Sequence, residues 1–520
     1  MSAGPDLTAT AGRRSAAKVN LLFASLNSSV VLASGLVLVP IYLRSFDLAT
    51  YGAWLATGNV LSLVGILDLG LGLVLSQRLA EMAGRSDADS FSRTATAGLL
   101  LTLISAAAIV GVCFGVSSWV PRAVNAPPGQ WNALAVAFRL AALGGAAVLV
   151  QMGLGAIAQA WQRSTAPGLA SVLGSLLGVI VTVVALLLGC GVVSLGWGAL
   201  ARGVAGATLL GADTLKEWKA RRLPMRWHAS ADMGTLVRAT LPVFLGRAGG
   251  VALGNSEAAL VSILVNPAAA AVLSLSTRLF SLSGMLLSPV GSAAFAGIAR
   301  LSVEGGRDRV EKILGELFDL TGAVSGFLLG SLVALNPGFV ALWVGPGRFG
   351  GLPLSAVACI AASLASRLGT GSLVLTALGL FRQTALVSVA EASARILLVF
   401  MLVPSLSILG MPVAAIASSL GVSGWYLWHL FSGRFPGGGD RRVLLMRGWP
   451  TVAVPIALGV AGAAVLPQPH SWPMFVALAS GVGFVQAAAV LATGRSARRL
   501  LASHLRDYFD RIHNAASIRP

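Results

Sequence analysis

Long apolar stretches follow one another from residue 19 to residue 493, and each is nearly free of charge. A hydrocarbon core of about 30 Å is crossed by about 20 apolar residues in helical form. By that measure spans fall at 19–43, 52–76, 94–118, 132–158, 167–189, 191–212, 239–264, 268–298, 314–335, 352–379, 384–404, 407–432, 449–467 and 473–493. Pro404 and Pro412 set the break inside the apolar run 384–432. The pattern predicts an all-α, polytopic membrane protein of about fourteen transmembrane helices. Hydrophobic residues make up 56% of the chain and charged residues 11%. A soluble chain carries roughly 25% charged residues, so a water-soluble fold of this composition would lack the polar groups to cover its surface.

The charges that remain are arranged as topology. With the N-terminus in the cytoplasm, 28 of the 37 Lys and Arg fall in cytoplasmic segments. Only Arg44, Arg122 and Arg348 fall in outside loops, and six lie within spans. This is the bias of the positive-inside rule, and losing one span would reverse every later loop. The even count therefore predicts both termini in the cytoplasm of a bacterial inner membrane. The net charge of +18 is read as topology, and no nucleic-acid partner is expected. Arg13, Arg14 and Lys18 precede a first apolar run too long for a signal-peptide core, so that run is read as a spanning helix.

The organisation expected is a cytoplasmic tail at 1–18, an N-terminal lobe of spans one to six at 19–212, and a basic loop at 213–238. A second lobe of spans seven to twelve follows at 239–432. A further cytoplasmic loop with spans thirteen and fourteen occupies 433–493 as an appendage, and a basic tail 494–520. The loop holds KEWKARRLPMRWH, Lys216 to His228, and marks the boundary between two six-helix halves. The tail repeats Leu501, Leu505, Tyr508 and Ile512 at helical spacing opposite Arg499, Arg506 and Asp510, as a solvated helix or one lying in the headgroup layer.

No GxxxxGK[ST] loop, HExxH, GxSxG or CxxC is present, and no two of the five histidines have metal-ligand spacing. No cofactor, metal or enzymatic activity is expected. Cys113, Cys190 and Cys359 lie in or at the edge of apolar spans and read as small buried hydrophobes. The longest outside loop is placed at 336–351, too short for an outer catalytic domain.

Ionisable residues inside the spans are the informative ones, because such groups face a bundle interior or water. They are Arg139, Arg202, Arg247, Arg278, Arg367 and Arg395 against Asp68, Glu257 and Glu391. Glu391 and Arg395 are four apart and can pair on one helix. Asp68, near the inner end of span two, suits a structural or capping role as well as a functional one. Arg247, Glu257 and Arg278 fall on consecutive spans at the start of the second half, and pairing Glu257 still leaves one arginine. A surplus of embedded Arg suggests a cavity that receives an anion, since the planar guanidinium bonds phosphate bidentately; a structural ion network is the competing reading. Two glycine ladders, Gly246/Gly250/Gly254 and Gly322/Gly326/Gly330, read as close helix packing, and Pro289 as a kink or ordinary packing.

Several segments carry a resemblance. LVPIYLRSFDLATYGAWLATGNVLSLVGILDLGLGLVLSQRLAE, Leu38 to Glu81, is similar to the opening of bacterial polysaccharide-transport flippases. These belong to the multidrug/oligosaccharidyl-lipid/polysaccharide (MOP) exporter superfamily. The shared elements are a Pro-aromatic end to span one, YG-x-W, and DLGL at Asp68 to Leu71. ALNPGFVALWVGPGRFGG, Ala334 to Gly351, resembles the segment after span nine, and span eight matches at Arg278 and Pro289. The resemblance implies two six-helix, MATE-like lobes plus two C-terminal helices, and alternating access through a central cavity. Its cargo would be an undecaprenyl-pyrophosphate-linked oligosaccharide, flipped to the outer leaflet for O-antigen or exopolysaccharide assembly. Cavity contacts would map to Asn27, Arg247 and Arg278, with Arg139 and Arg367 as further candidates for the anion. Glu257 and Asp68 would be candidates for ion coupling. Expected partners are the lipid-linked oligosaccharide, membrane lipids, and polysaccharide polymerase and chain-length proteins. Span one lacks the internal charge usual in the lipid II flippase branch. Two other classes stay open on the residues, a drug or cation antiporter and a membrane enzyme of polysaccharide assembly. The first would prefer an acidic cavity and the second an outer catalytic loop.

Overall fold

In the computed structural model the described residues are 7–64, 70–85, 87–163, 165–224, 233–240, 254–284, 307–434, 447–494 and 498. Among them there is no strand. The helices are α1 (Leu7–Ser45), α2 (Leu48–Val64), α3 (Leu71–Gly84), α4 (Ala88–Val116), the short α5 (Val120–Ala123), α6 (Trp131–Ala160), α7 (Thr165–Leu187) and α8 (Val193–Ala220). They continue as α9 (Glu257–Leu264), α10 (Arg307–Val344), α11 (Leu352–Ala377), α12 (Phe381–Leu406), α13 (Gly410–Ser418), α14 (Trp425–Arg434), α15 (Pro450–Val465) and α16 (Trp472–Thr493). Nine helical segments among the described residues are long and apolar enough to cross a membrane. Their outer surfaces carry large apolar side chains such as Leu187, Ile180, Met401 and Phe484. Exposed to water in such number these would aggregate the chain; lipid is the solvent that accepts them. The protein is a multi-pass membrane protein.

The chain falls into two compact units, Met1–Ala271 and Val272–Pro520. The basic loop read as an inter-lobe boundary, 213–238, thus lies within the first unit. Hydrogen bonds from the far end of span seven account for this. The Ala259 amide donates to Asn59 Oδ1 at 3.1 Å, and Asn125 Nδ2 donates to the carbonyls of Ser262 at 3.2 Å and Ile263 at 3.0 Å. Span two is present as α2 and α3, with Gly70 left-handed (φ 70°) at the start of α3; a residue with a Cβ is disfavoured there.

Helices in the first unit pack through glycines. A Cβ on Gly144 would lie 2.3 Å from the Ala199 carbonyl oxygen, and one on Gly203 would lie 2.1 Å from that of Gly144. In lipid no hydrophobic force draws helices together, so van der Waals contact between close backbones must do so. One end of the unit is tied by Trp161, which stacks on Phe91 at 5.7 Å and lies 6.1 Å from Trp218. Arg163 joins it by pairing with Asp213 at 3.0 Å and with Glu217.

The second unit corrects two expectations. The outside loop is expected at 336–351, but α10 runs on to Val344, leaving 345–351 as the connection to α11. Asn336 is buried, and its Nδ2 donates to the Ser276 carbonyl at 2.8 Å and to Ser355 Oγ at 2.7 Å. Those partners let it stay inside a helix. Spans thirteen and fourteen, read as an appendage, are built into the unit. The ladder Gly322/Gly326/Gly330 receives the α15 backbone, and a Cβ on Gly326 would lie 1.9 Å from the Thr451 carbonyl oxygen. The packing reading holds at this ladder. Gly254 has open space around it, and Gly246 and Gly250 lie outside the described residues. Of the cysteines, Cys113 and Cys359 are buried as expected, while Cys190 is exposed in the turn between Gly189 and Gly191. Pro289 and the basic tail, apart from Gly494 and Arg498, also lie outside the described residues.

Span twelve contains a π-helical turn, Ser419–Gly424, between α13 and α14. Its wider i→i+5 winding is uncommon and often marks a local demand. Here it turns Ser419 and Ser423 together toward Glu391 of α12. Ser419 donates to Glu391 Oε1 at 2.6 Å and Ser423 donates to Oε2. Arg395 Nη2 pairs with Glu391 at 2.9 Å, and its Nε donates to Ser418 at 3.2 Å. The expected i, i+4 pair therefore forms and is hydrogen-bonded on both sides.

Two stability outcomes follow. Gly326→Ala should destabilise the protein by about 1–3 kcal/mol through overpacking. Gly111→Ala, which meets nothing within 4 Å, should leave thermal unfolding in detergent unchanged. Glu391→Ala should cost about 3–5 kcal/mol by stranding the Arg395 charge, and adding Arg395→Met should recover most of the loss. Equal melting of the single and double variants would contradict this account.

Candidate functional site

Polar side chains inside the first unit gather around one cavity of about 360 Å³, lined from α1, α3, α6, α7 and α8. Glycine packing sets its geometry. On α7, a Cβ at Gly178 would lie 2.8 Å from Arg202 Cβ, and one at Gly174 would lie 2.8 Å from the Arg202 carbonyl oxygen. On α8, a Cβ at Gly206 would lie 2.1 Å from Gln151 Oε1. Absence of these side chains lets α7, α8 and α6 approach and aims Arg202 and Gln151 at one space. Gln151 Nε2 donates to Ser171 Oγ at 3.1 Å, and Ser175 Oγ donates to Asn27 Oδ1 at 2.9 Å. Asn27, Gln151, Ser171 and Arg202 all line the cavity, together with Ser76 and Gln159. Among the described residues Arg202 has no hydrogen-bond or ion-pair partner. It sits nine residues into α8, about 14 Å along the helix axis from Val193. A charge at the centre of a spanning helix costs roughly 2.5–3.5 kcal/mol on insertion scales, which a polar cavity offsets.

The sequence-derived candidates scatter. Of those among the described residues, Asn27 alone lines this cavity. Arg139, on α6, donates from Nε to Ser117 Oγ at 2.7 Å and lies 5.9 Å from the Phe114 ring centre, away from the cavity. Arg367 belongs to the second unit and is held as a brace. Its guanidinium carbon is 5.1 Å from the centre of the Phe318 ring and 5.2 Å from that of Trp449, and it donates to the Arg447 carbonyl. Arg447 in turn pairs with Asp319 at 3.5 Å. Arg278, also in the second unit, lies in the helical stretch 267–284, and its Nε is buried without a hydrogen-bond partner among the described residues. Glu257 is exposed in the first turn of α9. Arg247 and Asp68 lie outside the described residues.

Reading ionisable groups alone missed Gln151 and Ser171, and it did not place Arg202 among the cavity residues. A signal for them does exist in the sequence. Gln151 and Gln159 are eight apart on α6, and Ser171 and Ser175 are four apart on α7, so each pair shares one helix face inside an apolar span. Arg202 alone carries no such periodic mark, and its place in the group depends on how α8 rotates against α7.

The helices follow the fold of MOP-superfamily transporters. The solved structure of an inward-facing multidrug resistance MATE family transporter aligns with a TM-score of 0.67 at 15% identity, over 81% of this chain and 100% of that one. The lipid II flippase MurJ, in an inward closed conformation, aligns with a TM-score of 0.66 at 12% identity, over 91% of this chain and 99% of that one. The MATE multidrug transporter DinF-BH gives 0.57 at 14% identity, over 80% and 95% of the two chains. No curated protein sequence matches. A sequence profile for polysaccharide biosynthesis proteins covers residues 20–301, from the start of span one through span eight and more than half of the chain. With that match, the chain belongs to the polysaccharide biosynthesis protein family.

Proposed function

We propose that this protein is a flippase that moves a polyprenyl-pyrophosphate-linked oligosaccharide from the cytoplasmic to the outer leaflet of the inner membrane. The flipped unit then feeds surface-polysaccharide assembly. The observation that carries the reading is the surplus of embedded arginine within a polysaccharide biosynthesis fold. Arg278 presents a buried Nε without a partner among the described residues, and Arg247 precedes it on span seven. Sugars and a pyrophosphate cannot enter hydrocarbon without compensating hydrogen bonds. Guanidinium groups supply them while the polyprenyl tail stays in lipid. Outward movement of negative charge is favoured by an inside-negative potential by about 2.3 kcal/mol per charge per 100 mV. The potential, or an ion coupled at Glu257 or Asp68, takes the place of ATP. Polymerase and chain-length proteins are the partners that would receive the flipped unit.

Reconstitution tests this. Purified protein in liposomes, with a labelled polyprenyl-pyrophosphate oligosaccharide in one leaflet, should deliver sugar to the other leaflet, faster under an imposed potential. Arg247→Ala and Arg278→Ala should each lower the rate at least tenfold without loss of folded protein. Full rates in both variants would remove the arginines from the mechanism. Export of an organic cation with no movement of the oligosaccharide would replace the flippase with an antiporter.

Orientation has its own check. With both termini cytoplasmic, Cys190 lies in an outside turn, whereas Cys113 and Cys359 are buried. A membrane-impermeant maleimide should label intact spheroplasts, and Cys190→Ser should abolish the labelling. Labelling only after lysis would invert the topology.

A further inference from the structure

The cavity of the first unit carries more than a general polar path. We propose that it is a binding site for a phosphate-type oxyanion, with Arg202 as the charged ligand and Asn27 and Ser171 as hydrogen-bond donors.

Four observations converge on this. First, the space of about 360 Å³ far exceeds a halide and admits a polyatomic group. Second, no Asp or Glu among the described residues lines it, so Arg202 meets no counter-charge from them. Third, the existing hydrogen bonds leave donors over. Asn27 spends its carbonyl oxygen on Ser175, which leaves its NH₂ group. Ser171 accepts from Gln151, which leaves its hydroxyl proton. Fourth, the guanidinium is planar, with a fork of donors that matches two oxygens on one phosphorus. A point cation would suit a halide or a carboxylate equally well. A cation is a poor occupant, because Arg202 would oppose it and no acidic side chain among the described residues lines the cavity to hold it.

The site is contained within the first unit and stands on its own geometry, so it does not depend on transport. The chemistry it recognises is shared by the phosphate of a lipid headgroup and by free phosphate or pyrophosphate.

The test is binding to the full chain in nanodiscs of phosphatidylcholine, whose headgroup is zwitterionic. Inorganic pyrophosphate, inorganic phosphate and a short-chain polyprenyl phosphate are titrated separately by calorimetry, with chloride as the reference salt. At least one phosphate compound should bind saturably, and Arg202→Gln should weaken it tenfold or more. Arg382→Gln, which removes an exposed cation from the second unit, should leave the affinity unchanged. Binding of the inorganic anions identifies a free-anion site; binding of the polyprenyl phosphate alone identifies a headgroup site. If Arg202→Gln fails to fold, Asn27→Leu is read instead, since it keeps the charge and the size but removes the NH₂ donor, and it too should weaken binding tenfold. No saturable binding, or an affinity unmoved by the folded variant, would overturn the proposal. Loss of binding with transport intact would separate this site from the flippase reading, and loss of transport with binding intact would do the reverse.

Discussion

A backbone amide in hydrocarbon has no water to bond, so every N–H and C=O must be satisfied within the chain. That constraint makes helices the spanning elements among the described residues, and it decides what can hold them together. Apolar side chains meet lipid as readily as they meet one another. Cohesion therefore rests on close backbone approach and on the few polar side chains that find partners. Both devices recur in each unit. Gly144 and Gly203 bring α6 and α8 together in the first unit, and Gly326 and Gly330 do the same for α10 and α15 in the second. Asn59, Asn125 and Asn336 then bond backbone groups of neighbouring segments.

The same economy separates structural charge from charge left available. Arg139, Arg163, Arg367 and Arg395 each have defined partners: a hydroxyl, carboxylates, aromatic faces or a backbone carbonyl. Arg202 has none among the described residues, and Arg278 keeps a buried Nε unbonded. An unsatisfied embedded charge weakens a membrane fold, a cost that the proposed anion would offset. Glycine packing and ligand chemistry are coupled here. Gly174, Gly178 and Gly206 are what admit Arg202 and Gln151 to a common space, so a change in helix packing would also change the site.

Much of the fold was legible in the sequence because its signals are long. A run of about 20 apolar residues survives any local exception. The Glu391–Arg395 pair and the ladder at Gly322, Gly326 and Gly330 were readable for a related reason, as each is set by spacing along one helix. Where the reading failed, a short signal was overridden by distant partners. Residues 336–344 read as part of an outside loop, yet they continue a helix in which the Asn336 Nδ2 donates to Ser276 and Ser355. Cys190 borders an apolar span, yet the turn formed by Gly189 and Gly191 exposes it.

Sequence alone determined that this chain lives in a membrane as a many-helix bundle, and which side chains are costly enough there to need an explanation. It could do so because hydropathy and charge act residue by residue. Only the tertiary structure decided which of those side chains are already satisfied. It divided the arginines between braces and the cavity, and it joined Asn27 of α1 to Arg202 of α8, far apart along the chain, at one cavity. The physical reason is that a helix presents one face in every direction. Which face meets which neighbour depends on the rotation and depth at which glycines on two helices interlock, and no local pattern encodes that.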